Sequence, residues 1–148
     1  MLQIRETKLT DAVLAELIAL SEDWEAENGC WGYRKNERSD IEGNRIFLAE
    51  EDGRTVGYLF GHIEKAKTTT SVMPEQTPCF EVEELYVIPE RRSKGLGAAL
   101  FRFAEQAVRS EASYMLLGTA TKDWRAILHF YLEELGMEFW SARLFRKI

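Results

Sequence analysis

Apolar residues recur along the chain at two periods, and the switches between those periods mark out the elements. Leu2 and Ile4 alternate with polar neighbours, which predicts a short strand over residues 2–5. Thr10 then precedes a helical pattern, DAVLAELIAL, with Leu14, Leu17 and Ile18 on one face, so a capped helix is expected there. Ser21, followed by acids, predicts either a second helix or a continuation that ends by Asn28-Gly29. The stretch CWGYRKNERSDIEGN is polar and glycine-containing, and reads as a connection. Ile46, Phe47 and Leu48 open a strand, Asp52-Gly53 has the chemistry of a two-residue hairpin turn, and residues 55–63 return antiparallel. Gly57 and Gly61 inside the return strand point to a bulge or a close neighbour, or to plain tolerance in a weakened strand. Residues 65–78, KAKTTTSVMPEQTP, have no period and contain two of the prolines, which predicts a long loop.

The most informative run is residues 80–108, FEVEELYVIPERRSKGLGAALFRFAEQAV. Its first part alternates acid and apolar residues until Pro89, which cannot donate to a ladder. From Ser93 the period turns helical, through Leu96, Leu100, Phe103, Ala104 and Ala107. A buried strand follows at residues 114–117, and the helical crossover between the two strands makes them parallel. Residues 124–135 read as a helix, with Ile127, Leu128, Tyr131 and Leu135 on one stripe and Gly136 as its stop. Met137 to Trp140 and Ala142 to Phe145 predict a closing hairpin or bent strand. The expected fold is α/β, a mixed and mostly antiparallel sheet covered by helices. It forms a single domain over residues 1–148, with no repeat or linker.

Composition narrows the function. In 148 residues, 45% are hydrophobic, enough for a substantial core, and no run is long and apolar enough to span a membrane. The N-terminus lacks the apolar centre of a signal peptide, so a cytoplasmic protein is expected. Cys30 and Cys79 lack metal-type spacing and are expected to be free thiols, and no metal is expected. A net charge of −6 argues against nucleic acid as the main partner and favours cationic ligands, although mild acidity also simply keeps a domain soluble.

Between strand and helix of the central run lies RRSKGLG. A helix start presents unpaired N–H groups, glycines at 95 and 97 would let a phosphate approach the main chain, and Arg91, Arg92 and Lys94 add charge. Pyrophosphate suits such a turn. The nucleotide P-loop requires Lys and then Ser or Thr after its last glycine, whereas Ala98-Ala99 follows Gly97; the dinucleotide fingerprint requires three glycines. Neither matches. The segment instead resembles the acetyl-CoA signature of the GNAT superfamily of N-acetyltransferases, Arg/Gln-x-x-Gly-x-Gly/Ala. Here Arg92-Ser93-Lys94-Gly95-Leu96-Gly97 stands behind that family's Leu-x-Val-x-Pro strand ending, Leu85 to Pro89.

That resemblance implies six to seven strands and about four helices, in the order strand, helix, helix, three strands, helix, strand, helix and one or two closing strands. It implies acetyl-CoA as cosubstrate, held by Arg91, Arg92, Ser93, Lys94, Gly95, Leu96, Gly97 and Ala98. The thioester carbonyl would lie against main-chain N–H groups at Leu85, Tyr86 and Val87. Direct attack by an amine agrees with the lack of a Ser or Cys nucleophile motif. Tyr131, in HFYLEELGM, takes the position of a phenol that approaches the CoA sulfur as acid. By a period of two, Glu81 and Glu83 share a face with Leu85 and Val87, while Glu84 points away. Glu83, in preference to Glu81, would then accept the amine proton, unless water alone does. Where the family usually has Asn, seven residues before the Tyr, this chain has Trp124, and Lys122 or Arg125 could supply the missing CoA contact. Trp24, Glu27, Trp31 and Tyr33 would suit a cationic acceptor. A small amine is expected, with protein lysine or N-terminal acetylation, or a non-catalytic acyl-CoA sensor, as alternatives. A homodimer is compatible with the family.

Overall fold

In the computed structural model, which describes residues 1–148, strand β1 (Leu2–Thr7) leads into α1 (Asp11–Glu27). Thr10 caps α1 by accepting a hydrogen bond from Val13 N at 3.2 Å, and Asn28 ends it in the left-handed region at φ 53°. The helix is continuous. Ser21 starts no second helix, because it is fully buried in the middle of α1, donating to Ile18 O at 2.8 Å and accepting from Asn36 N at 2.9 Å. The second helix lies instead in the stretch read as a connection. It is the single turn α2 (Arg38–Ile41), with a capping box between Glu37 and Asp40 and Ile41 fully buried.

Strand β2 (Arg45–Glu51) and β3 (Arg54–Lys65) form the expected hairpin, with Asp52 and Gly53 at φ 52° and 77° as a primed turn requires. The loop over 66–77 has no regular structure, but closes on itself through Ala66 N to Thr77 O and Gln76 N to Ala66 O. β4 (Pro78–Val87) pairs antiparallel with β3, and a 3₁₀ turn (Pro89–Arg91) leads to α3 (Leu96–Val108). β5 (Tyr114–Leu116) then pairs parallel with β4, as the crossover predicts. The sheet order is β1-β2-β3-β4-β5. One face is covered by α3 through Leu100, Phe101 and Ala104, the other by α1 through Val13 and Leu17. Fully buried Leu17 and Leu100 each contribute roughly 2 kcal/mol of apolar burial. No helix is long and apolar enough to cross a membrane.

Two sequence expectations fail at the C-terminal end. α4 (Trp124–Leu128), capped by Asp123, continues as a π-helical turn over His129–Glu134, so the stripe through Tyr131 and Leu135 does not keep an α phase. The closing strands do not form: residues 135–148 contain no strand, and the sheet has five strands. Strand propensity needs a ladder to join, and β5 offers an edge only three residues long. Phe139, Trp140, Leu144 and Phe145 are accordingly exposed.

Candidate active site

The site begins where two neighbouring strands part. β5 pairs with β4 only at Cys79, Phe80 and Glu81 and stops at Leu116, so β4 has a free edge from Val82 to Val87. Ile88 N donates to Val56 O on β3, whereas Val87 O faces away from β3 and accepts from Arg92 Nε at 2.9 Å. Alternation along the backbone then turns the N–H groups of Leu85 and Val87 to the free edge. Across the mouth of this gap, Trp31 N donates to Ala120 O and Lys122 N to Gly29 O, both at 2.8 Å, joining the loops that follow α1 and β5.

At the end of β4 the chain enters the glycine turn. Ser93 and Gly95 have φ of 61° and 80°, and the N–H groups of residues 93–98 donate to no acceptor in the protein; the first helical bond is Ala99 N to Gly95 O. A Cβ on Gly95 would meet nothing within 4 Å, so this side of the turn is open to a ligand. Gly97 serves packing instead. A Cβ there would lie 3.2 Å from the Phe130 ring, so Gly97 is what lets the π-helical turn sit against the start of α3. Both arginine forks are engaged by carboxylates in the fold. Arg91 is bidentate with Glu51 (2.8 and 3.0 Å) and Arg92 with Glu27 (2.7 and 2.9 Å), which leaves Lys94 as the turn's unpaired cation. A cleft of about 420 Å³ beside it is lined by Arg91, Lys94 and Leu96. The donor set fits a diphosphate through main-chain amides and one ammonium.

Tyr131 lies on the π-helical turn, next to Phe130. Burial pushes its phenol up to about 12, and its hydroxyl has no hydrogen-bond partner in the protein. Trp124 is exposed under Arg125, and Lys122 is spent on Asn28 and the Trp31 ring.

The carboxylates are rearranged by a β-bulge. Phe60 pairs with Glu84 but Gly61 with Val82, so Glu83 is an extra residue on β4. Phe80 meets Phe47, which meets Phe103 of α3, and Val87 lies with Leu100 of α3 against Gly57. Phe80 and Val87 therefore share a face although their positions have opposite parity. Glu81 consequently shares a face with Glu84 and Tyr86, and not with Leu85 and Val87 as a strict period of two predicts. Burial, followed by the charges of Glu83 and Glu64, raises the Glu81 carboxyl above its ordinary range. Glu83 is half-exposed, with Oε1 3.4 Å from His62 Nδ1. Glu81 also lines a cavity of about 280 Å³ with Glu64, Lys65, Lys67, Met73, Leu116 and Trp140.

Glu84 is the residue sequence reasoning set aside. One of its oxygens accepts from Tyr58 OH (2.8 Å), Asn36 Nδ2 (2.9 Å) and Tyr33 OH (3.1 Å). Only the bulge hint at Gly61 could have pointed to it. Burial holds its carboxyl above the ordinary range against the pull of these donors. The folded chain therefore keeps this proton to a higher pH than the unfolded chain, and the associated stability falls as pH rises through the folded value. Glu84→Gln removes this contribution, so its melting temperature is expected to gain on that of wild type as pH rises above about pH 4. Parallel wild-type and variant profiles would refute this.

Of the predicted acceptor residues, Trp24, Tyr33 and Glu27 are linked through the Trp24 and Tyr86 rings, and Trp31 lies apart. Trp24 packs between Tyr33 (4.4 Å) and Tyr86 (5.1 Å), so its faces are occupied by other rings. Glu27 is taken by Arg92 and by Tyr86 OH at 2.7 Å. Trp31 is exposed, with Lys122 and Phe145 against it.

The family model described as Acetyltransferase (GNAT) family matches residues 11–137. No curated protein matches the chain in sequence. Among solved structures, an aminoglycoside acetyltransferase from an uncultured soil metagenomic sample, in complex with trehalose, superposes with a TM-score of 0.69 at 16% identity, covering 99% of this chain and 96% of that one. AAC(6')-Iy in complex with the bisubstrate analogue CoA-S-monomethyl-acetylneamine gives 0.69 at 17% identity, covering 100% and 98%. A Trypanosoma brucei acetyltransferase gives 0.68 at 19% identity, covering 100% of both chains. At these identities the likeness is one of fold.

Proposed function

We propose that this chain, which belongs to the acetyltransferase (GNAT) family, moves acetyl from acetyl-CoA to the primary amine of a small, cationic molecule. The observation that carries the reading is the run of unpaired N–H groups over residues 93–98 beside the free edge of β4. The bound cosubstrate would supply an activated acyl group as a thioester. The turn's amides and Lys94 hold its diphosphate, and the Leu85 and Val87 N–H groups face charge developing on the carbonyl oxygen. Tyr131 holds a proton for the leaving thiolate, and its hydroxyl is free to donate it.

Of the two proposed bases Glu81 is preferred here over Glu83, because it lines the 280 Å³ cavity and a raised carboxyl is a stronger proton acceptor near neutral pH than an ordinary one. Glu83 extends the acidic wall toward His62 and Glu64. The chain's net charge of −6 favours a cationic acceptor, for which Glu64 and Glu81 stand beside Lys65 and Lys67 at the 280 Å³ cavity, and the loops joined through Trp31 and Ala120 favour a small one over a protein tail. Aminoglycosides belong among the amines to test, since one of the superposed structures is an aminoglycoside acetyltransferase and another holds the bisubstrate analogue CoA-S-monomethyl-acetylneamine.

The test is a panel of diamines, polyamines, aminoglycosides, amino-acid amines and lysine or N-terminal peptides with acetyl-CoA, read by thiol release. Turnover strongest with small cationic amines is expected. Preferred turnover of peptides would overturn the acceptor assignment. Tight coenzyme A binding with no thiol release for any amine would instead favour an acyl-CoA sensor.

A further inference from the structure

We propose that Glu27, the last residue of α1, is a positioning residue for the cofactor turn, holding it in its ligand-receiving shape before any ligand arrives. This rests on the functional reading above. Ser93 has φ 61°, a conformation that non-glycine residues adopt at a cost, and something must hold the chain on either side of it. Immediately before it, Arg92 is fixed at every nitrogen of its guanidinium: Nε donates to Val87 O, and the other two to the carboxylate of Glu27. The same carboxylate accepts from Tyr86 OH, and the guanidinium lies over the Tyr86 ring at 5.4 Å. Burial would push the Glu27 carboxyl up, but the bonds from Arg92 and Tyr86 overcome it and hold it below the usual carboxylate range.

The consequence runs through three elements. Tyr86 of β4 packs against both Trp24 of α1 and Arg92 of the turn, so α1, β4 and the turn form one braced unit. Affinity gained by such bracing comes from ordering that no longer accompanies binding. The opposite role is conceivable for this contact: Glu27 could be a competitor that withholds Arg92 from phosphate. The two roles have opposite signs on removal of the carboxylate, which makes the experiment decisive.

Coenzyme A affinity is measured by titration calorimetry for wild type, Glu27→Gln, Arg92→Gln and the double variant, with steady-state kinetics alongside. Glu27→Gln is expected to weaken coenzyme A binding about tenfold and to raise KM for acetyl-CoA in step, with kcat changed less than about twofold. In the Arg92→Gln background the same substitution should add little, since its effect passes through that guanidinium. Unchanged or tighter binding in Glu27→Gln overturns the proposal, as does a lowered melting temperature with an unaltered dissociation constant. If Glu27→Gln does not fold, Tyr86→Phe loosens the same carboxylate without orphaning Arg92, and should weaken binding about twofold to threefold; no change there overturns the proposal equally. A wild-type protein that does not bind coenzyme A overturns the functional reading and this proposal together, whereas wild-type binding with indifferent variants overturns this proposal alone.

Discussion

Tyr131→Phe is expected to lower kcat about a hundredfold, at the lower end of what a positioned general acid supplies, and to leave KM for acetyl-CoA within about threefold. The Tyr131 hydroxyl bonds to nothing in the protein. Its removal orphans no partner and keeps the ring, so stability should change by no more than about 0.5 kcal/mol. A loss of rate cannot then be ascribed to unfolding. Burial holds the phenol protonated up to about 12, so the acid form persists through the neutral and mildly alkaline range. An alkaline fall in wild-type rate below about pH 10 would therefore belong to another group, and the variant should retain it. Wild-type kcat in Tyr131→Phe, measured by thiol release at saturating acetyl-CoA, would remove Tyr131 from the mechanism.

The second large effect is structural. A Cβ on Gly61 would run into the Glu81 carbonyl oxygen and lie 2.9 Å from the Phe80 ring, so Gly61→Ala collides with backbone rather than with a side chain that can swing aside. Overpacking of this kind costs about 3 kcal/mol, which for a chain of this length lowers the melting temperature by roughly 10 °C. The collision falls at the step where the pairing slips from Phe60–Glu84 to Gly61–Val82. Relief by straightening the strand would swing Glu81 toward the other face and away from its cavity. Activity should therefore fall further than the folded fraction does at the assay temperature. A melting temperature within about 2 °C of wild type, read by circular dichroism, would show that the site tolerates a Cβ.

Much of this architecture is local in origin and could be read directly. Thr10 and Asn28 bound α1, Asp52-Gly53 sets a hairpin, and Pro89 with the glycines of the turn separates β4 from α3. Each depends on the dihedral or hydrogen-bonding character of one or two residues. Other features misled for the same reason. Ser21 has the chemistry of a cap, yet its hydroxyl is used inside α1 and toward Asn36, which only the packed loop could supply. The alternation at the C-terminal end had strand character but found only a three-residue edge to join.

The chain's own residues determined the glycine turn, the strand before it and the helix after it, because a missing Cβ and a missing N–H act on their immediate neighbours. The face on which the carboxylates lie was decided by tertiary structure, since a bulge at Glu83 exists only in the pairing of β4 with β3. So was the state of the arginines: Glu51 and Glu27, 40 and 65 residues distant in sequence, neutralise Arg91 and Arg92 once the fold brings them together. Charge at a site depends on which groups meet in space, and residue order alone does not fix those meetings.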